Sequence, residues 1–194
     1  MRLETNMGVE EVIWMNNIAY IGVYELDGGY AGGLLVCDHR GLPVDFRYVE
    51  PIKPTKLQRL IYGAALRRYI MVEAIGAGLL KECAAKYDVA FVDEDLLLEL
   101  SGQCKAPLAK MSRTDLAPLK AVGECQRVSG NGITYQASMS GAPVQLHFVD
   151  ADDKAIKGVI EQLSSIGCTL DITEPLERVR KAVAEVSGTD NDGR

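Results

Sequence analysis

A chain of 194 residues, 47% hydrophobic and 25% charged, carries enough apolar material for a packed core, which excludes wholesale disorder. A net charge of −6 sets up a negative long-range field that argues against a coat for nucleic acid or a membrane surface, so neither is an expected partner. Met1–Asn6 has an early acid and no apolar run, so no signal peptide is expected, and no stretch reaches the roughly 18 apolar residues of a membrane helix. Cys37, Cys83, Cys104, Cys125 and Cys168 are widely spaced with no Cys-x-x-Cys, which fits reduced thiols in a cytoplasm better than a disulfide framework or a zinc site.

The first dozen residues read as peripheral, and Trp14-Met15 as an exposed pair. Residues 18–25 are β-branched and aromatic, as a strand requires, and Asp27-Gly28-Gly29 ends them. Leu34–Cys37 is a short apolar run suited to a strand covered on both faces. After a turn at Asp38–Gly41, Val44, Phe46 and Tyr48 alternate with Asp45 and Arg47 at the period of a half-buried strand. Short turns between these runs predict an antiparallel meander.

Thr55 with Gln58 three residues on matches a capping box and predicts the start of the longest helix. Leu57, Leu60, Ile61, Ala64, Met71, Val72, Ile75 and Leu79 form one apolar stripe, and Leu66, Ile70, Ala77 and Leu80 a second. Two apolar faces predict burial against a sheet on one side and against the C-terminal half or a partner subunit on the other. Gly76 and Gly78 each weaken such a helix by about 1 kcal/mol and mark a bend or a close neighbour. Val89–Val92 reads as a strand ending at Asp93, and Glu94–Leu100 as a short helix. Ser129–Gly132 signals a hairpin, with Ile133, Tyr135, Ala137 and Met139 inside and Thr134, Gln136 and Ser138 wet; Val144, Leu146 and Phe148 then alternate with Gln145 and His147. Asp150–Asp153 opens a helix that ends near Gly167, and Asp171 or Thr173 caps a last helix to about Val186.

The fold class expected is α+β or mixed α/β: a strand meander, a long helix, then a hairpin half with helices. The order gives a βββαβα unit over residues 1–100, a connector over 101–120, a β-hairpin plus two-helix unit over 121–186 and a disordered tail over 187–194.

Three acids stand at distinctive places: Glu25 at the end of the first strand, Glu73 on an apolar helix stripe, and Asp93 at the end of the fourth strand. The order strand–strand–strand–helix–strand over residues 18–95 resembles the opening of ribonuclease H-like folds, endonuclease V included. In such folds acids on the first strand, the first helix and the fourth strand bind two divalent metals, and the first acid is usually an aspartate within the strand. The resemblance implies a metal-dependent nuclease or phosphohydrolase with Glu25, Glu73 and Asp93 as catalytic acids and Mg²⁺ as cofactor. Hard Mg²⁺ takes oxygen ligands, and paired ions stabilise both the attacking and the leaving oxygen. Apart from that resemblance, no metal or other cofactor is expected.

Lys53, Lys56, Arg59 and Arg67, with Arg68, Tyr62 and Tyr69 among them, make a basic run at the helix start that would suit an anionic ligand. Gly28, Gly29, Gly32 and Gly33 open onto a strand rather than a helix, which reads as a hairpin turn and not a phosphate loop. His39 and His147 are the only histidines; Cys37 stands two residues from His39 but within a buried run, as a small core residue. With no other assembled set of reactive groups, the leading expectation is a non-catalytic interaction or regulatory protein that acts through a protein partner or as a homo-oligomer. The metal-dependent nuclease and the anion-binding module are the alternatives.

Overall fold

The computed structural model describes residues 17–128, 130–138, 141–166 and 171–188. The fold is mixed α/β, built on an eight-stranded mixed sheet in the order β3-β2-β1-β4-β5-β8-β7-β6. Trp14-Met15, Ser129, Met139, Gly167, Cys168 and residues 189–194 of the expected tail lie outside the described residues.

The meander forms as its residues predict. Strands β1 (Asn17–Leu26), β2 (Gly29–Asp38) and β3 (Pro43–Ile52) pair antiparallel in chain order. The β1–β2 turn uses Asp27 and Gly28, both at positive φ, while Gly32 and Gly33 lie inside β2, where a side chain would collide with Ile75 or Val183. β4 (Val89–Val92) lies parallel to β1, and β5 (Leu108–Arg113) parallel to β4. β8 (Val144–Val149) then runs antiparallel to β5, and β7 (Gly132–Tyr135) and β6 (Cys125–Arg127) complete the sheet. The two strand-rich halves therefore share one sheet, joined by β5 within residues 101–120.

Helices cover both faces. On one face α4 (Asp153–Ile166) and α5 (Glu174–Val186) pack Ile156, Val159, Leu163, Val179 and Val183 over Ile18, Tyr20, Phe91 and Phe148. On the other, Ile70, Met71, Ile75 and Leu79 pack over Ala19, Ile21, Val23, Ala90 and Val92. Successive strand residues point to opposite faces, so even-numbered β1 residues face α5 and odd-numbered ones face the second layer.

That second layer departs from the single long helix expected. α1 (Lys56–Tyr62) starts at Thr55 with the capping box intact, Thr55 N–H donating to Gln58 Oε1 (2.8 Å) and Gln58 N–H to Thr55 Oγ1 (3.2 Å). It stops at Gly63, whose φ of 53° is open to glycine. α2 (Ala65–Arg68), a π-helical stretch (Tyr69–Gly76) and α3 (Ala77–Glu82) follow. The break frees α1 from the packed layer, and none of its residues is buried. The other apolar face of the π stretch meets the 3-10 helix Asp95–Gln103 of the same chain, where the expectation allowed a partner subunit.

One strand face also differs from expectation. Thr134 and Gln136 are buried rather than wet. The Gln136 amide accepts from Leu119 N–H (2.8 Å) and donates to the Ser138 (2.7 Å) and Gly141 (3.1 Å) carbonyls, so it ties the 114–124 segment over the strand. A buried amide with these partners does not incur the cost of an unmade bond.

Two neighbouring glycines separate packing from propensity. A β-carbon at Gly76 would lie 2.7 Å from Leu100 Cδ1 and 3.0 Å from the Met71 carbonyl oxygen, whereas nothing lies within 4 Å of one at Gly78. Gly76→Ala is expected to destabilise the fold by about 1–3 kcal/mol through overpacking. Gly78→Ala is expected to stabilise it by roughly 0.5–1 kcal/mol. Urea denaturation of the two variants checks the opposite signs.

Candidate functional site

The parallel strands β1, β4 and β5 end side by side, and crevices at the carboxyl ends of such strands are where open α/β sheets bind ligands. Asp93 follows directly on β4. Ile21 pairs with Val92, so the next residues along the two strands are Gly22 and Asp93. Asp93 shares its parity with Val89 and Phe91, on the α5 face.

No side chain projects from Gly22, and none could. A β-carbon built there collides with the Tyr24 hydroxyl and ring. Tyr24 projects from the same face of β1 two residues on, so its phenol occupies the space facing Asp93. Its hydroxyl is buried and lies beside the Asp93 carboxylate without reaching hydrogen-bond geometry. Burial, with Asp93 next to it, holds the Tyr24 hydroxyl protonated. Solvent reaches Asp93, yet the protein around it desolvates the carboxyl enough to raise its proton affinity, against the opposing pull of Tyr24 and of the Arg180 guanidinium.

Beside Asp93 opens a cavity of about 250 Å³, walled by Ser112 and Arg113 of β5 and by Glu177 and Arg180 of α5. Arg113 pairs with Glu177 (2.7 Å) and Asp171 (3.5 Å). Arg180 lies over the Tyr24 ring at 5.4 Å, and among the described residues no carboxylate comes within ion-pair distance of it.

The three acids singled out in the sequence do not meet. Glu25 shares its parity with Ile21 and Val23, on the face opposite Asp93, and is exposed beside the turn. Glu73 is exposed on the π stretch and paired with Arg68 at 2.6 Å, which answers its need for a partner on the apolar stripe. Among the described residues no three His, Cys, Asp or Glu side chains gather as a metal site would need. The donor set implied for two metal ions is therefore a poor fit: one acid stands at the strand end, and a phenol fills the position across from it.

The basic run lies at the same end of the sheet. Arg59 donates to the Gly28 carbonyl in the β1–β2 turn (2.5 Å), and Arg67 pairs with Glu94, next to Asp93, at 3.4 Å. Arg68 is held by Glu73 and by Glu99 (2.7 Å). Lys53 and Lys56 are exposed and, among the described residues, have no ion-pair partner. Around them Leu57, Leu60, Ile61, Tyr62 and Tyr69 are exposed, with Leu60 at 72%, and the two tyrosine rings stand 5.3 Å apart. Cys37 and His39 form no nucleophile: burial pushes the Cys37 thiol up and keeps it protonated, while His39 is exposed.

No protein-family model matches the sequence, and no curated protein matches it. Solved structures do match. An endonuclease V from Streptomyces avermitilis superposes with a TM-score of 0.62 at 12% identity, over 88% of this chain and 81% of that one. One from Bacillus subtilis gives 0.57 at 13%, over 93% and 84%. A third, the Ciona intestinalis endonuclease V (D234N) in complex with a DNA containing an inosine followed by a ribo-adenosine, gives 0.53 at 10%, over 91% and 87%. The shared feature is the fold.

That likeness corrects the leading expectation of a non-catalytic interaction or regulatory protein with a protein partner or a second copy and no nucleic acid. The three structures named above that share this fold are endonucleases V, one of them solved in complex with DNA. The whole-chain charge misled because it averages over an uneven distribution: residues 51–72 hold five cations and no acid. The expectation of no membrane partner meets one finding, that no helix among the described residues is long and apolar enough to cross a membrane. Gly22, Tyr24, Arg113 and Arg180 were not singled out from the sequence. The spacing of Gly22 and Tyr24 on one strand face was visible, but their relation to Asp93 depends on the β1–β4 register.

A carboxyl whose proton affinity rises on folding costs stability wherever it is ionised. That cost is absent below the ordinary carboxylate pKa of about 3.9 and grows as pH rises through the higher folded value. Asp93→Asn is therefore expected to be more stable than the parent at about pH 7, with the margin closing toward about pH 4. Thermal melts across that range check the sign; a parent that is the more stable at neutral pH contradicts the assignment.

Proposed function

We propose that this chain acts on nucleic acid, with the strand lying across the carboxyl ends of β1, β4 and β5. One observation carries the reading. The acid-free segment 51–72, with Lys53, Lys56, Arg59 and Arg67, converges on the same end of the sheet as Asp93 and its cavity, on a fold shared with endonucleases V. Cations that neutralise phosphates supply the sequence-independent part of such binding, and exposed Tyr62 and Tyr69 offer rings on which unpaired bases can stack.

Asp93 is the acid this reading places next to the reacting phosphodiester. A carboxyl with raised proton affinity suits the delivery of a proton to the leaving oxygen, which takes the electrons of the breaking P–O bond while a water oxygen bonds to phosphorus and gives up its proton to solvent. Cytoplasm is the compartment proposed, since a cytoplasm holds nucleic acid and keeps thiols such as Cys37, Cys83, Cys104 and Cys125 reduced.

Fluorescence anisotropy with a labelled single-stranded oligonucleotide tests the reading. The parent is expected to bind with a steep salt dependence. Lys53→Glu with Lys56→Glu should weaken binding by at least about tenfold and flatten the slope of log K against log salt by about 1.4, the loss of two phosphate contacts. Absence of binding at low salt, or a double variant that binds like the parent, would contradict it. Scission of the same oligonucleotide, abolished by Asp93→Asn, is the expected sign of turnover.

A further inference from the structure

We propose that the cavity beside Asp93 holds a phosphoryl group of a nucleotide or nucleic-acid strand on the Arg180 guanidinium, with Arg113 and Ser112 beside it, in the place where the fold's resemblance implies metal ions. The inference rests on the nucleic-acid reading and names the group that this end of the sheet engages.

Two metal ions need carboxylates converging from separate elements. Here the strand position facing Asp93 is Gly22, and the Tyr24 phenol fills the space a carboxylate would use. Glu25 points to the other face of the sheet, and Glu73 is held by Arg68. The cavity wall instead carries two guanidiniums, Arg113 and Arg180, beside the Asp93 and Glu177 carboxylates. A guanidinium is planar, weakly hydrated and matched to phosphate oxygens by its parallel N–H edges. Arg180 is set for that use: the Tyr24 ring supports its face at 5.4 Å and leaves the N–H edges open, and among the described residues it has no ion-pair partner.

Arg113 plays a lesser part, because Glu177 and Asp171 already share its charge. Ser112 supplies a hydroxyl on the cavity wall. Two carboxylates on the cavity wall oppose an anion: Glu177 is held by Arg113 at 2.7 Å, and the raised proton affinity of Asp93 weakens its repulsion. The same carboxyl is then placed to share a proton with a bound phosphate oxygen. A phosphoryl group suits this end of the sheet better than metal ions do, because a phenol fills the space facing Asp93 and a guanidinium lies over its ring.

The test is calorimetric titration of the 5′-phosphorylated thymidine dinucleotide, in EDTA and in Mg²⁺, beside anisotropy with an oligonucleotide of about 12 nucleotides. The dinucleotide is expected to bind equally well with and without the metal. Arg180→Gln, at an exposed helix position, should keep the fold, with a melting temperature within about 5 °C of the parent, and weaken binding about tenfold, with Arg180→Lys restoring only part of the loss. Binding that requires Mg²⁺, or an Arg180→Gln variant that binds like the parent, overturns the proposal. Dinucleotide binding through Arg180 with no oligonucleotide binding would sink the nucleic-acid reading and leave the cavity assignment standing. Oligonucleotide binding that depends on Lys53 and Lys56, with no dinucleotide binding, would do the reverse. Binding of neither overturns both.

Discussion

The parallel pairing of β1 with β4 and of β4 with β5 is the constraint on which the rest of the molecule depends. It lines up three carboxyl ends and puts Asp93 level with Gly22. Because side chains alternate faces, the same register decides which groups can reach Asp93. Tyr24 and the α5 residues can, and Glu25 cannot. Slipping β4 by one residue would send Asp93 to the opposite face, under the π stretch, and leave the α5 cavity without an acid.

The second organising event is the break at Gly63. A helix continued from Thr55 to Glu82 would lie against the sheet along its whole length. Stopping it after Tyr62 releases α1 from the packed layer while the Arg59 contact with the Gly28 carbonyl keeps it at the strand ends. The cations of α1 thereby stay exposed to water at the strand-end side of the sheet. In a protein of net charge −6 this makes a local positive field within a repulsive surround.

Much of the fold was legible because it rests on local signals. The Thr55–Gln58 capping box, the Val144–Phe148 alternation and the Asp27-Gly28 turn each depend on residues a few positions apart. The π-helical stretch was not legible, since its residues read equally well as α-helix, and the close approach of its Gly76 to Leu100 of the 3-10 helix joins residues far apart in sequence. Gln136 misled because alternation alone put it in water, while its amide is needed by the backbone of a segment distant in sequence. At the site, Asp93 announced itself by ending a strand. Gly22, Tyr24 and Arg180 did not, for their meaning lies in a register and a helix placement that no short window contains.

The most direct test of the account is amide chemical-shift mapping of the isotope-labelled protein during titration with a short single-stranded oligonucleotide. The account predicts saturable shifts confined to the strand-end surface, in residues 53–69 and around Asp93, Arg113 and Arg180. Shifts centred instead on the β6–β7 hairpin or on the β8–α4 junction, with the strand-end residues unmoved, would contradict it.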